Sequence, residues 1–403
     1  MKDIVLFQPF LRVHILNFAK AVQGFRFVVK SEKFFATKNF YKKSMSSPAA
    51  EFSRSKLGWK NRLRRTFGIL NARPKFTREG DLLFTYGCLL FTNKPYCVYI
   101  ENGAALFNYD PHILRNPLAK LWFAFLVRLP QCKKLIFMSE TAKKSLLATG
   151  HFSAATERVI EQKSIQVYPY TKAPERPSIK QFSGSLKCLF TGIYYAKGGR
   201  ELLSAFEAAR SQSPHITLTL VTPLHMLLPE DRAHIESVPG VTLYDAAFSP
   251  EEMEGLYRTH DVFMFPTFRD TFGLVLIEAL SFGMPIIATD QYATTEMAIE
   301  SWNAFVFPSH PILDYDQKTK EMYGQLYDAK AFYHALFVAE KRGEMHDLEA
   351  FLTRSMLSFV EQPFLLEQYS KNSLKLYTEK FHQGIIAKKI QTVFEEALGM
   401  PSK

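Results

Sequence analysis

Residues 266–285 constrain this chain more than any other stretch. The apolar run Val262, Phe263, Met264, Phe265 precedes Pro266, and a polar segment then reaches Thr271 before a continuous apolar period begins. A strand therefore ends at Pro266, a loop runs to Thr271, and a helix is expected over 272–282 with Thr271 as its N-cap. Gly283 suits the position just past a helix end, and Pro285 bars the helix from resuming. Such a unit sets the backbone amides of Phe272, Gly273 and Leu274 at the positive end of a helix, beside the carboxyl edge of a sheet. Gly273 has no side chain to hold a ligand off the backbone, so the turn is a ready phosphate cradle. Glu278 lies one turn beyond Leu274 on the same face. All its neighbours from Leu274 to Leu280 are apolar, and a lone acid in such a helix is costly unless it has a partner. A carboxylate there can accept hydrogen bonds from a vicinal diol such as a ribose.

The same alternation of strand and helix runs along the whole chain. In the first half it predicts strands over 4–7, 25–29, 82–86, 96–100 and 134–138. Helices are expected over 15–22, 118–129 and, capped by Ser139, to residue 147. Residues 171–185 hold two prolines and no apolar period, which marks a linker. Beyond it the pattern predicts strands over 187–191, 216–221, 262–265 and 285–288, with helices over 200–210 and 250–258. Residues 313–347 read as irregular and 364–398 as largely helical. A chain of 403 residues with 47% hydrophobic content holds enough material for two cores. The expectation is an α/β protein of two doubly wound parallel-sheet domains facing across a cleft. Their bounds are 1–175 and 183–375, with a terminal helical segment, 376–403, returning to the first.

Charge is placed unevenly. Residues 1–75 hold 17 Lys and Arg against three acids, although the whole chain is only +11. Within 30–75 the bases Lys30, Lys33, Lys38, Lys42, Lys43, Lys60, Arg62, Arg64 and Arg65 interleave with Phe34, Phe35, Phe40, Tyr41, Trp59, Leu63 and Phe67. This mixture predicts docking on an anionic membrane surface; no nucleic-acid module is recognisable. No apolar run approaches the length of a membrane span. Residues 1–12, broken by Pro9 and Arg12, read as a first buried strand rather than a leader. Cys88, Cys97, Cys132 and Cys188 form no C-x-x-C pair and sit in apolar surroundings, so free thiols and a cytoplasmic location, on the inner membrane face, are expected.

Taken together, several motifs resemble the signature of the retaining glycosyltransferases of family 4, the group 1 transferases, which have the GT-B fold of two Rossmann-like domains. Asp270, Phe272-Gly273-Leu274, Glu278, Ala279, Gly283 and Pro285 follow that family's paired-acid pattern. Glu296 matches the acid of its Gly-x-x-Glu turn, and Asn303 with residues 305–307 its following strand. Gly192 with Lys197-Gly198 resembles its phosphate loop, Asp261 to Pro266 the strand before the paired acids, and Ser139-Glu140 a strand–helix unit of the first domain. The resemblance covers 186–310 in order.

It implies a nucleotide-sugar donor as substrate, no bound cofactor, no metal, and transfer with retention onto a glycan or lipid-linked acceptor. Lys197 and the amides of Phe272, Gly273 and Leu274 would take the diphosphate, Asp270 the donor sugar's hydroxyls and Glu278 the ribose. Gly192, Gly198 and Glu296 would line the donor site, and Glu101 and Asn102 the acceptor side. Departures are specific. Asp270 replaces a Glu, Ile193 stands where the family has Arg, Ala293-Thr294-Thr295 replaces a Gly-rich turn, and Pro9-Phe10-Leu11 replaces a Gly-Gly loop. They leave two alternatives: a donor-binding scaffold without turnover, and a nucleotide-sugar epimerase of the same fold. His112 and His151 read as surface residues. Asp314-Tyr-Asp316 is formally a D-x-D metal motif without supporting context.

Overall fold

The computed structural model describes residues 1–8, 13–31, 59–175, 177–308, 312–324 and 329–401. Two six-stranded sheets, with every neighbouring pair parallel, are the centres of two domains. The first is built from β1 (Lys2–Gln8), β2 (Phe25–Ser31), β4 (Leu82–Tyr86), β6 (Tyr96–Ile100), β7 (Cys132–Phe137) and β8 (Ser164–Gln166) in the order β2-β1-β4-β6-β7-β8. A separate parallel pair joins β3 (Ala72–Lys75) to β5 (Leu89–Thr92). The second sheet holds β9 (Leu186–Thr191), β10 (Ile216–Thr222), β11 (Val241–Asp245), β12 (Val262–Phe265), β13 (Ile286–Thr289) and β14 (Ala304–Phe307). Its order is β11-β10-β9-β12-β13-β14.

Helices cover both faces of each sheet, which is why β4, β6, β12 and β13 are buried at every position and read as unbroken apolar runs. Strand order reverses between β1 and β4 in one sheet and between β9 and β12 in the other. In open parallel sheets a ligand sits outside the carboxyl ends of the strands flanking that reversal. The second domain's reversal therefore points at the turns after Thr191 and after Phe265.

The two domains are joined by more than the linker. The final helix, Gln383–Ala397, lies on the first domain: the Phe394 ring meets Phe84 at 5.2 Å and Phe25 and Phe27 at 6.0 Å each. Fully burying such a ring stabilises by roughly 1.5–3 kcal/mol. The buried cluster that contains it continues through Phe381 to Leu276 and Phe265 of the second domain. Within the linker, Lys180 is buried and its Nζ donates to the carbonyls of Tyr257 and Arg258 at 2.8 and 2.9 Å. It thus satisfies the end of the helix Pro250–Thr259, and burial lowers its ammonium to about 8.

Three expectations need correcting. The helix expected over 272–282 is shorter, Leu274–Ser281, and its N-cap is Gly273 rather than Thr271. Gly273 has φ 83°, so the chain turns left-handed there before the helix can start. The helix does end as expected, with Gly283 donating to Leu280 and Met284 to Ala279 in a Schellman arrangement. The segment read as irregular contains the helix Ala329–Lys341, whose Phe332, Tyr333, Leu336 and Ala339 are buried at helical spacing. The pattern also missed β11, a mostly exposed edge strand with too few apolar residues to show alternation. Residues 32–58, which carry much of the basic and aromatic interleaving, and Pro9-Phe10-Leu11 lie outside the described residues.

Candidate functional site

The turn after β9 and the loop after β12 meet at the second domain's reversal point. Gly198 has φ 74°, and a Cβ there would stand 2.1 Å from the Pro266 carbonyl oxygen, so no larger residue lets the two turns approach. Phe268 N donates to the Ala196 carbonyl at 3.1 Å and completes the lacing. Lys197 is held over this junction. Its Nζ donates to the Arg269 carbonyl at 2.7 Å, pairs closely with Asp270 Oδ2, and lies 5.5 Å from the Phe265 ring centre. Gly192 borders it: a Cβ at that position would meet Lys197 Cγ at 2.9 Å.

Asp270 is the organiser of this corner. Its Oδ1 accepts from Phe272 N at 2.9 Å and Gly273 N at 2.8 Å, while Oδ2 holds Lys197. Burial pushes its carboxyl up, but the Lys197 charge, the Lys197 bond and the two amides outweigh that and hold it below the ordinary carboxylate value. Two of the three amides expected to cradle a phosphate are thus bonded to Asp270. Its two oxygens are engaged with the helix start and the cation, so Asp270 orders the corner in addition to any contact with a sugar.

Glu278 sits further along the same helix. Tyr257, buried on the helix Pro250–Thr259, donates its hydroxyl to Glu278 Oε2 at 2.7 Å. Burial raises the Glu278 carboxyl and the Tyr257 bond opposes that, with a net rise. Tyr257 was missed in the sequence. The only signal was a large aromatic with a polar tip on a helix face that must be buried, which needs a partner but does not say which.

Glu296 is placed differently. It follows β13 and reaches the other domain, where Oε1 accepts from Thr141 N at 2.8 Å and Oε2 from Glu140 N at 3.2 Å. These are the first amides of the helix Glu140–Gly150, whose N-cap Ser139 accepts from Ala142 N. Tyr168, also missed, donates to Glu296 Oε2 at 3.0 Å, and its ring lies tilted at 6.1 Å from that of Phe272. It therefore ties the helix starts of both domains together. Tyr292 and Ser145 add a close hydroxyl pair across the same seam.

On the first domain, Glu101 stands at the carboxyl end of β6 and is buried. It accepts from Tyr109 at 2.7 Å and closely from Tyr86. Asn102 caps the short 3-10 helix Gly103–Phe107 by accepting from Ala104 N. His112 and His151 are both exposed, and His151 Nε2 lies 3.2 Å from Glu321. Asp316 accepts from the amides of Lys318 and Thr319, which is a turn role. Among the described residues no three His, Cys, Asp or Glu groups gather as a metal site. All four cysteines are buried and unpaired with one another.

Residues 185–324 match the family model for glycosyl transferases group 1. Over 196 residues the chain is 24% identical to the D-inositol 3-phosphate glycosyltransferase of Arthrobacter sp. (strain FB24), covering 46% of this chain and 47% of that protein. The protein of the same name from Pseudarthrobacter chlorophenolicus is 23% identical over 198 residues, with the same shares. The chain thus matches about half the length of these relatives. Two solved structures share the fold over nearly the whole chain. The Anabaena protein HepE in complex with UDP and glucose has a TM-score of 0.56 at 13% identity, covering 98% of this chain and 99% of that one. A glycosyltransferase from Rickettsia africae also has a TM-score of 0.56 at 13% identity, covering 98% of each chain.

Proposed function

We propose that this chain, a GT-B-fold protein belonging to the group 1 glycosyltransferases, moves a sugar from a nucleotide-sugar donor onto an acceptor hydroxyl. The observation that carries this reading is the corner at the β9/β12 reversal. A cation, Lys197, is held there beside a helix start, with the half-buried carboxylate of Glu278 on the same helix. Lys197 and the remaining helix-start dipole stabilise the charge that grows on the diphosphate as its bond to the sugar's anomeric carbon breaks. Glu278 accepts the ribose hydroxyls once Tyr257 shares the carboxylate with them. The acceptor oxygen bonds to the anomeric carbon on the face the diphosphate leaves, and its proton passes to the departing phosphate oxygen. Configuration is retained and no metal is required.

The acceptor, a glycan or a lipid-linked glycan, lies against the first domain near Glu101 and Asn102. Glu296 and Tyr168 hold the domains in register over it. Assembly of polysaccharide or lipid-linked glycan on the inner face of a membrane fits this reading. A second reading, a donor-binding scaffold, draws support from the Lys197–Asp270 pair, which already neutralises the cation, and from Ile193 in place of an Arg. Incubation with a panel of nucleotide sugars, with and without acceptor, separates them. Turnover only with acceptor supports transfer, binding without turnover supports the scaffold, and release of an epimerised donor supports an epimerase.

A further inference from the structure

The helix Pro117–Arg128 is apolar on two opposite sides. Its inner side, Ala119, Phe123, Leu126 and Val127, packs into the first domain's core. Its outer side carries Leu118, Leu121, Trp122 and Phe125, each between 44 and 69% exposed. A surface helix of a soluble domain turns polar residues outward, so an apolar outer stripe at 118, 121, 122 and 125 marks a surface that something covers.

The stripe does not stand alone. Trp122 stacks on Phe125 at 5.4 Å, Phe125 meets exposed Phe91 at 6.5 Å, and Phe91 meets exposed Phe76 at 5.6 Å. At the other end of the stripe lies the helix Trp59–Phe67. Asn116 donates to the Arg65 carbonyl at 2.6 Å, and a Cβ on Gly68 would meet Ala119 N at 2.7 Å. That second helix exposes Trp59, Leu63 and Phe67, one turn apart from each other.

Charge selects among possible occupants. Residues 59–78 carry seven Lys and Arg and no acid, and Lys60, Arg62, Arg64 and Arg78 are exposed. Arg65 is paired with Asp110, and the remaining exposed bases beside an exposed apolar stripe match the headgroup and acyl layers of an anionic bilayer. A second copy of this chain would bring the same positive belt against itself.

We propose that the outer face of the helix Pro117–Arg128, with the adjoining helix Trp59–Phe67, is the surface by which this protein docks on an anionic membrane. Trp122, Leu121 and Phe125 enter the acyl boundary while the basic belt meets the headgroups. The inference stands apart from sugar transfer, because vesicle binding needs no donor.

The test is sedimentation of the full chain with phosphatidylcholine vesicles, alone or with about one-third phosphatidylglycerol, for wild type and for the double variant Leu121→Glu, Trp122→Glu. Both positions are exposed, and equal melting temperatures check that the variant folds. Wild type is expected to bind the anionic vesicles at least ten-fold more strongly than the neutral ones. It should keep part of that binding at high salt, with a blue shift of tryptophan emission. The variant is expected to lose ten-fold or more and to lose the blue shift. Equal binding of both proteins to anionic vesicles, or no binding by wild type, overturns the proposal. So does a wild-type dimer in light scattering that the variant converts to monomer, which assigns the face to self-association. A conservative Trp122→Phe should keep most of the binding. Its failure to do so, with Leu121→Glu alone silent, overturns insertion as the cause.

Discussion

Two helices begin beside the seam between the domains, and their first amides are satisfied in opposite ways. The helix Leu274–Ser281 is preceded by Asp270, whose carboxylate takes the amides two and three residues downstream. The helix Glu140–Gly150 takes its carboxylate from Glu296, 156 residues away on the other domain. Each is a carboxylate at the positive end of a helix, favoured for the same electrostatic reason. The difference lies in when the contact exists. Asp270 closes its turn whatever the domains do, so it can pre-order Lys197 for a ligand. Glu296 makes its bonds only while the domains are together, so it reports and restrains their relative position. A third carboxylate, Glu201, lies buried in the first turn of the helix Gly199–Gln212, and burial raises it to about 8 against the opposing charge of Arg200.

The largest expected effect is on Glu278, the acid that the locally closed helix carries toward the ligand. Glu278→Ala should slow transfer by about two orders of magnitude or more, at roughly 1.5–3 kcal/mol per charged hydrogen bond. Glu278→Gln should fall between. Because its carboxyl is raised, a donor-binding profile should weaken as pH falls through a value above the ordinary Glu range, and Gln should remove that inflection. Kinetics with a 2′,3′-dideoxy donor check this. If the Ala variant still prefers the intact ribose as strongly as wild type does, Glu278 is not the ribose ligand.

Next is Lys197→Ala, expected to weaken donor binding by about 10- to 100-fold, through loss of a charge-assisted contact. Asp270 keeps both amide bonds in that variant, so thermal stability should change little. A large fall in melting temperature would mean that the local closure depends on the cation, which breaks the contrast drawn above.

Glu296→Gln sharpens the same contrast from the other side. Its bonds to two amides and Tyr168 are weakened rather than removed, at a cost of about 1 kcal/mol. Small-angle scattering should show a wider separation of the domains, with activity down a few-fold and thermal stability nearly unchanged. Asp270→Asn, compared in parallel, should lower activity without altering the scattering. Identical scattering for both variants and wild type would show that Glu296 does not restrain the domains.

The smallest effect is read from Glu201. The folded protein keeps that proton up to about 8, whereas the unfolded chain releases it near the ordinary 4.5. Folding therefore takes up a proton between those values, and stability falls as pH rises across that window. Glu201→Gln should flatten the decline, so that its melting temperature gains on wild type by ~2–5 °C between pH 5 and pH 9. A gain that is the same at both pH values would mean the carboxyl is not held neutral. Asp270, lowered by its cation, should show no such gain on substitution.

Local physics made the second domain readable. Pro266, Gly273, Gly283 and Pro285 act through backbone conformations that depend on their own residues and few others, so the strand, loop and helix at 262–285 could be anticipated within a few residues. Glu278 was singled out on the same basis, whereas Lys197 and Gly198 were singled out by the family resemblance. The same reasoning misplaced the N-cap, because an Asp three residues before Gly273 and a left-handed glycine closed the turn instead of Thr271. It missed Tyr257, Tyr168 and the cross-domain role of Glu296, since each acts on a group brought near by the packing of whole sheets. It also passed over the outer stripe of the helix Pro117–Arg128. An apolar residue in a sequence does not say which side of its helix faces the core, and only the packed structure shows that this helix has apolar side chains left over. The amino-acid sequence by itself determined the alternation of strands and helices and the chemistry of the turns, which are short-range steric and electrostatic matters. Tertiary structure decided which carboxylate meets which helix and which apolar face stays outside, because those depend on contacts between residues far apart in the chain.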